Sequence, residues 1–135
     1  MNAISLEHDG TVARLLINNP RRSNALSRAM WRAIEQSCQQ VAKQDEATVL
    51  ILASSTAGCF AAGADIAEFE SNYASIETAR EVNAEIHRAI DALEACPMPI
   101  VALIDGPCVG GGLALALATD FRVASTNARF ALTPS

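Results

Sequence analysis

The sequence predicts an α/β fold, because apolar segments of strand length alternate with segments of helical periodicity. Two β-rich segments occupy residues 11–18 (TVARLLIN) and 48–55 (TVLILASS), and a third apolar run occupies 99–104 (PIVALI). Each interval between them carries an amphipathic pattern. The length of 135 residues fits one domain with a substantial core.

The first interval, residues 27–43 (SRAMWRAIEQSCQQVAK), predicts a helix. Ser27 is a favourable N-cap residue at its start. Four apolar side chains recur at helical spacing behind this cap: Met30, Ile34, Cys38 and Val41. We therefore expect one buried face on this helix.

A second helix is predicted over residues 76–95, and Pro97 ends it. Its apolar face is formed by Ala79, Val82, Ile86, Ile90 and Leu93. A third helix begins at the glycine run 110–112 and continues toward Asp120, and a short strand follows at 121–124. The last residues, ARFALTPS, resemble the middle of an element, so we expect the chain to be a fragment.

Charge and hydropathy exclude several classes of partner. The net charge of −5 and the lack of a basic stripe argue against nucleic acid. The longest apolar stretch, 97–104, is far shorter than the roughly 20 residues that cross a bilayer. The N-terminus has no basic start followed by an apolar run, so we expect no signal peptide, no membrane partner and a cytoplasmic protein.

The four cysteines contain no CxxC pair, and the chain has only two histidines. This pattern argues against a metal site and against a disulfide framework. We interpret the thiols as reduced, small hydrophobic side chains. A reactive role for Cys59 or Cys108 stays open, because both are close to the motifs below.

The segment 105–120, DGPCVGGGLALALATD, runs from a buried strand through three glycines into a helix. Glycines let the backbone approach a ligand, so the amide of Gly111 is a candidate donor to a developing oxyanion. A tight turn without a ligand is the alternative. The run lacks the GK[ST] ending of a P-loop and is not GxGxxG, so it predicts neither ATP nor dinucleotide binding.

The segment 58–68, GCFAAGADIAE, follows the second strand and offers a second backbone donor. Small residues around Gly63 allow the amide of Ala64 to face a ligand, and an oxyanion hole usually has two such donors. We expect Asp65 to cap the turn that follows it. A simple loop is the alternative interpretation.

Four motifs in succession resemble the enoyl-CoA hydratase/isomerase, or crotonase, family. They are NNPRRSNALS (18–27), FAAGADI (60–66), PIVALIDG (99–106) and GGG (110–112). The resemblance covers essentially the whole chain. It implies a crotonase-like spiral of stacked ββα turns, with residues 1–135 as the N-terminal part of a single domain, truncated before the C-terminal helices.

The resemblance further implies that the partner is an acyl-CoA thioester and that the amides of Ala64 and Gly111 hold the enolate oxygen. No cofactor is expected other than coenzyme A as part of the substrate. The positions that match the family's substrate contacts are Arg21, Arg22, Ser23, Ala62, Ala64, Asp65, Ile66, Gly110 and Gly111. The two arginines can also pair with the CoA phosphates, or form an ordinary solvated pair. Family members also imply a homotrimer or hexamer and a place in fatty acid metabolism.

Both glutamates that hydratases of this family use are missing. The first position is Ala114, and the second is Pro134, or Ser135 if the register slips by one. Neither Ala nor Pro can transfer a proton, so hydration by the usual acid–base pair is not expected. The loss weakens hydration more than isomerisation, although enoyl-CoA hydratase or isomerase remains the predicted activity.

His87 is the candidate acid or base within this segment. It lies twenty-four residues before Gly111, the spacing at which a dehalogenase branch of the family places an active-site histidine. Imidazole suits proton transfer near neutral pH, but a histidine on a helix surface is the alternative. Two further hypotheses are a non-catalytic CoA-thioester binder and an assembly subunit.

Overall fold

The computed structural model describes residues 3–44 and 46–132. Its main sheet contains β1 (Ile4–Asp9), β2 (Val12–Ile17), β3 (Val49–Ser54), β4 (Ile100–Ile104) and β6 (Phe121–Ala124). A second sheet pairs β5 (Pro107–Val109) with β7 (Arg129–Ala131) in parallel. The helices are α1 (Arg28–Ala42), α2 (Phe69–Asn72), α3 (Ile76–Glu94) and α4 (Gly111–Leu117), and 3₁₀ turns lie at Pro20–Arg22 and Ile66–Glu68.

The main sheet has the strand order β1-β2-β3-β4-β6. β1 and β2 form an antiparallel hairpin, whereas each later pair is parallel. Parallel neighbours need a crossover, and α1, α3 and α4 lie in the three intervals that supply one. The predicted α/β class is confirmed.

Alternate side chains of the central strands enter one apolar core. β2 contributes Ala13, Leu15 and Ile17, and β3 contributes Leu50 and Leu52, all fully buried. Burying one such leucine contributes about 1.5–3 kcal/mol. This core holds the carboxyl ends of the parallel strands in fixed positions, and the candidate site is built on the segments that follow them.

The first predicted helix is confirmed in its bounds, its cap and its buried face. The Ser27 hydroxyl accepts a hydrogen bond from the Met30 amide at 3.2 Å. Ser75 caps α3 in the same way, by accepting from the Thr78 amide at 3.0 Å. The buried side chains of α1 are Met30, Trp31, Ile34, Cys38 and Val41.

Helix α3 differs from the prediction in its buried face. Val82 and Leu93 are buried as expected, but so is the carboxylate of Glu85. Glu85 accepts hydrogen bonds from Arg28 Nε at 2.6 Å and Arg32 Nη1 at 3.0 Å, both on α1. A buried charge requires partners of this kind, so this pairing fixes how the two helices lie together.

The two outer strands β6 and β7 expose apolar side chains. The exposed fraction is 61% for Phe121, 58% for Val123 and 52% for Phe130. Every residue of both strands is exposed. Among the described residues, no helix combines the length and the apolar composition needed to cross a membrane.

Candidate functional site

The loop that carries Ala64 runs alongside β5. Ala61 and Cys108 form a parallel bridge. The Ala61 amide donates to the Pro107 carbonyl at 3.0 Å, and the Val109 amide donates to the Ala61 carbonyl at 3.0 Å. These backbone bonds hold two segments together that are more than forty residues apart in the sequence.

Ala64 itself is held by a second bridge, to Leu26. The Leu26 amide donates to the Gly63 carbonyl at 2.7 Å, and the Asp65 amide donates to the Leu26 carbonyl at 3.4 Å. The two hydrogen bonds of this bridge therefore use the Gly63 carbonyl and the Asp65 amide, and neither uses the Ala64 amide. Within residues 3–44 and 46–132, the Ala64 amide donates no hydrogen bond.

The Gly111 amide is the second candidate donor, and it begins α4. It also donates to no group in the described part of the chain. A Cβ atom at Gly111 would lie 2.9 Å from Trp31 Cζ2 and 3.3 Å from Leu26 Cδ1. Leu26 therefore touches position 111 and also pairs with Ala64, which brings both predicted donors to one region.

Gly112 shows why this region needs glycine. A Cβ atom there would lie 2.5 Å from the carbonyl oxygen of Ala61 and 2.7 Å from its Cβ. Real Cβ atoms do not approach backbone so closely, so helix α4 can meet the Ala61 segment only through a residue without a side chain.

An open cleft of about 390 Å³ lies beside Ala64. Its lining contains seven of the predicted substrate-binding residues: Arg21, Arg22, Ser23, Ala62, Ala64, Asp65 and Ile66. Ala25 completes the lining. Gly110 and Gly111 are not part of it.

The two arginines at the cleft differ in their partners. Arg22 forms a salt bridge with Asp65, with Nη1 3.4 Å from Oδ1. That same oxygen accepts from the Ala67 amide at 3.0 Å, so the predicted capping role of Asp65 is confirmed. Arg21 is exposed and pairs with no acidic side chain among the described residues. It therefore adds an uncompensated positive charge to the cleft rim.

A fully buried asparagine, Asn24, lies between the cleft residues Ser23 and Ala25 and ties their loop to the rest of the fold. Its Nδ2 donates to Ser54 Oγ at 2.6 Å and to the Phe60 carbonyl at 3.0 Å. Its Oδ1 accepts from the Asn19 amide at 2.7 Å and from Thr56 Oγ1 at 2.9 Å. This network joins the loop 18–27 to the segment after β3.

A second, smaller cavity of about 40 Å³ also has Ala64 in its lining. The other lining residues are Leu26, Arg28, Trp31, Asp65, Phe69, Asn72, Tyr73, Val82 and Ile86. Most of this surface is apolar. Ala64 and Asp65 therefore line both the larger cleft and the smaller cavity.

The cationic side chain in the lining of this cavity, Arg28, is already paired. Arg28 lies 2.6 Å from the buried Glu85 and 3.8 Å from Glu81, and the hydrogen bond to Glu85 raises the pKa of the guanidinium. The Arg28 amide donates to Glu68 Oε1 at 2.8 Å. Arg28 therefore acts as a fixed structural cation at the start of α1.

The two cysteines near the motifs are buried. Burial raises the pKa of the Cys59 thiol, and it raises the pKa of Cys108 to about 11, with a smaller contribution from Cys59. Only a thiolate is an effective nucleophile. Both side chains are therefore neutral thiols at pH 7, and Cys59 Sγ donates to the Ser23 carbonyl at 3.0 Å.

The structure does not bring His87 to the two amides. It is exposed on α3 and lines neither cavity that contains Ala64, although its neighbour Ile86 lines the smaller one. Ala114 lies in α4. Pro134 and Ser135, the alternative positions of the second family glutamate, lie outside the described residues.

Sequence reasoning missed three residues that shape this region: Asn24, Trp31 and Asn72. Asn24 has a positive φ of 57°, and asparagine tolerates that conformation better than most residues. The motif NNPRRSNALS therefore contained a usable signal. Trp31 was recognisable as a helix residue, but its contact with position 111 depends on a distant part of the chain.

The parallel sheet, its crossover helices and the glycine-opened α4 define a crotonase-type fold. The family model described as enoyl-CoA hydratase/isomerase matches residues 7–135, and the chain belongs to this family. The predicted resemblance and the predicted fold are confirmed.

The crotonyl-CoA hydratase of Syntrophomonas wolfei is 37% identical over 127 residues, which cover 94% of this chain and 48% of that protein. A protein from Hyphomonas neptunium assigned to the enoyl-CoA hydratase/isomerase family has a TM-score of 0.95 at 40% identity, over 98% of this chain and 50% of that one. The enoyl-CoA hydratase/carnithine racemase of Magnetospirillum magneticum has a TM-score of 0.94 at 37% identity, and the match covers 98% of this chain and 49% of that one. The chain thus spans about half the length of these relatives.

Proposed function

We propose that this chain binds an acyl-CoA thioester and polarises its carbonyl group for hydration or isomerisation of an enoyl-CoA. The observation that carries the proposal is a pair of backbone amides, Ala64 and Gly111, which donate to no group among the described residues and which Leu26 links. Two amides directed at one oxygen stabilise the negative charge that develops when a thioester becomes an enolate. Both amides belong to backbone that is held by neighbouring segments, so they need no reorganisation during the reaction.

The cleft of about 390 Å³ supports the binding half of the proposal. Its lining offers backbone groups of residues 21–23, 62 and 64–66 to the adenosine part of coenzyme A. Arg21 has no acidic partner among the described side chains, so its guanidinium is available to a CoA phosphate. Arg22 can join it if the phosphate competes with Asp65.

Relatives described as crotonyl-CoA hydratase and enoyl-CoA hydratase support the type of reaction. The residues at positions 114 and 134 are Ala and Pro, and neither side chain transfers a proton. Isomerisation needs a single acid or base, whereas the family's hydration uses a glutamate pair. We therefore propose either reaction, and the absence of the two glutamates favours isomerisation over hydration.

We also propose a cytoplasmic location and assembly as a homotrimer or hexamer. All four cysteines are free thiols, which suits a reducing compartment. Light scattering on the purified protein measures the assembly. A monomer at all concentrations would contradict it.

Two substitutions at one position test the oxyanion assignment. Gly111→Pro removes the amide hydrogen, while Gly111→Ala retains it and adds the same Cβ atom near Trp31. We expect Gly111→Pro to lower turnover of crotonyl-CoA or a 3-enoyl-CoA by at least about 100-fold, the usual effect of losing one such donor. Gly111→Ala should retain most of the activity, and both variants should still bind coenzyme A.

Calorimetric titration with crotonyl-CoA and with free coenzyme A accompanies the kinetics. Wild-type protein that binds neither molecule would contradict the binding half. Equal turnover in the proline and alanine variants would contradict the role of the Gly111 amide. Thermal unfolding of both variants checks that the Cβ atom has similar structural effects in each.

A further inference from the structure

Helices α1 and α3 run side by side in parallel and bring two cysteines to the same end of the helix pair. Three ion pairs follow in the same order along both helices: Arg28–Glu81, Arg32–Glu85 and Glu35–Arg88. Cys38 is on α1, about one turn after the last of these pairs. Cys96 lies just beyond the end of α3 at Glu94. The order of these contacts therefore places both cysteines at the C-terminal end of the helix pair.

An open cavity of about 370 Å³ lies at this end, and both cysteines line it. The small side chains in the same lining are Ala42, Ala92 and Ala95. Cys38 is buried, whereas Cys96 is partly exposed, so a small molecule in the cavity reaches Cys96 more easily. Among the described residues, this cavity shares no lining residue with the two that contain Ala64. The inference below is therefore independent of the proposed function.

The two thiols interact directly. A hydrogen bond with the Cys38 thiol lowers the pKa of Cys96, against the opposing effects of burial and of the Asp120 carboxylate. The same hydrogen bond, together with burial, raises the pKa of Cys38. Only a thiolate is an effective nucleophile. Cys96 is therefore the sulfur that attacks first, and Cys38 is the neutral thiol beside it.

We propose that Cys38 and Cys96 form a redox-modification site, at which a small-molecule disulfide such as oxidised glutathione converts the two thiols into an intramolecular disulfide. The Cys96 thiolate attacks one sulfur of the small disulfide, which forms a mixed disulfide and releases one glutathione thiolate. The Cys38 sulfur then attacks the Cys96 sulfur, and its proton passes to the second glutathione as it leaves. Two protein thiols are oxidised, and one oxidised glutathione is reduced to two molecules of glutathione.

Peptide mapping of the folded protein after treatment with oxidised glutathione tests the proposal. Trypsin and an aspartate-specific protease together place Cys38 in the peptide 33–43 and Cys96 in the peptide 91–104. Cys59 and Cys108 then lie in other peptides. We expect a disulfide between the first two peptides and the loss of two of the four free thiols. Dithiothreitol should restore both thiols.

Two serine variants test the order of the steps. Cys38→Ser retains a hydroxyl that can donate to Cys96, so the reaction should stop at the mixed disulfide between Cys96 and glutathione. Cys96→Ser leaves the buried Cys38 as the remaining thiol of the pair. We expect glutathione to modify Cys38 in that variant at least about tenfold more slowly than it modifies Cys96 in Cys38→Ser.

Cys59 and Cys108 are the internal controls, because burial raises the pKa of both thiols. The inference is overturned if the wild-type protein forms no link between peptides 33–43 and 91–104, or links Cys59 or Cys108 in equal yield. Equal rates of modification in the two serine variants would also overturn it. Circular dichroism shows whether each treated protein is folded, and the wild-type map decides the pairing even if a variant fails to fold.

Discussion

Two segments lie against the loop that carries Ala64, and they are held in different ways. The glycine segment, residues 107–112, makes backbone contacts with Ala61 that leave no room for side chains. The helical segment, residues 69–86, contributes side chains that are partly exposed, such as Phe69 at 61%. The first arrangement constrains the backbone closely, and the second leaves room for changes in side-chain size.

The largest test of this contrast is Gly112→Val. The new Cβ would begin 2.5 Å from the Ala61 carbonyl oxygen, and we expect a loss of about 4 kcal/mol in unfolding free energy, toward the upper end for overpacking. Urea denaturation measures it. Leu117→Val on the same helix is the control, because Leu117 is exposed. Equal losses of unfolding free energy in the two variants would show that position 112 is no more constrained than position 117.

Cys108 tests the burial of the glycine segment through pH. Burial raises the folded pKa of its thiol to about 11, above the ordinary value of about 8.5. The folded state then holds its proton longer than the unfolded state, so this stabilisation is complete below about pH 8.5 and is lost toward pH 11. We expect a decline of up to about 3 kcal/mol across that window.

Denaturation midpoints measured at intervals from pH 7 to pH 11 give this slope. Cys108→Ala should flatten it, because the variant has no thiol to titrate at this position. An identical alkaline decline in wild-type and variant protein would contradict the assignment to Cys108.

The helical segment should tolerate a larger truncation. Phe69→Ala removes a whole ring, yet the ring is mostly exposed, so we expect only about 1 kcal/mol of lost stability. A stability loss as large as that of Gly112→Val would show that the helical segment is as constrained as the glycine segment.

The smallest effect is expected at His87. The side chain is exposed on α3, outside both cavities that contain Ala64, so His87→Gln should change stability by less than about 0.5 kcal/mol and turnover by less than about twofold. Steady-state kinetics over a range of pH measures the second quantity. A tenfold loss would restore the acid or base role that the spacing suggested.

Local signals were sufficient for the longer elements. Helix α1 has a capping serine and regular apolar spacing, and both features act within one turn or two. The three-residue strands β5 and β7 escaped prediction, because each exists only through pairing with the other across about twenty residues of intervening chain. The hairpin strand β1 was missed as well, since its exposed residues give it little apolar periodicity.

The candidate site likewise contains residues with a local sequence signal and residues whose role depends on distant segments. Ala64 and Gly111 follow recognisable small-residue motifs, so they could be nominated from the sequence. The Leu26 contacts that connect them, and the burial of Asn24, depend on segments that are distant in the sequence. The asparagine at position 24 indicates a turn with positive φ, but it does not indicate that the side chain is buried.

The exposed outer strand β6 has a consequence for how copies of this chain meet. It pairs with β4 on one side, and within the described residues no strand covers its other edge. An uncovered edge with Phe121 and Val123 on it is a template to which an extended segment from another molecule can add. Self-association of this polypeptide should therefore increase steeply with concentration, and a lysine at position 123 should suppress it.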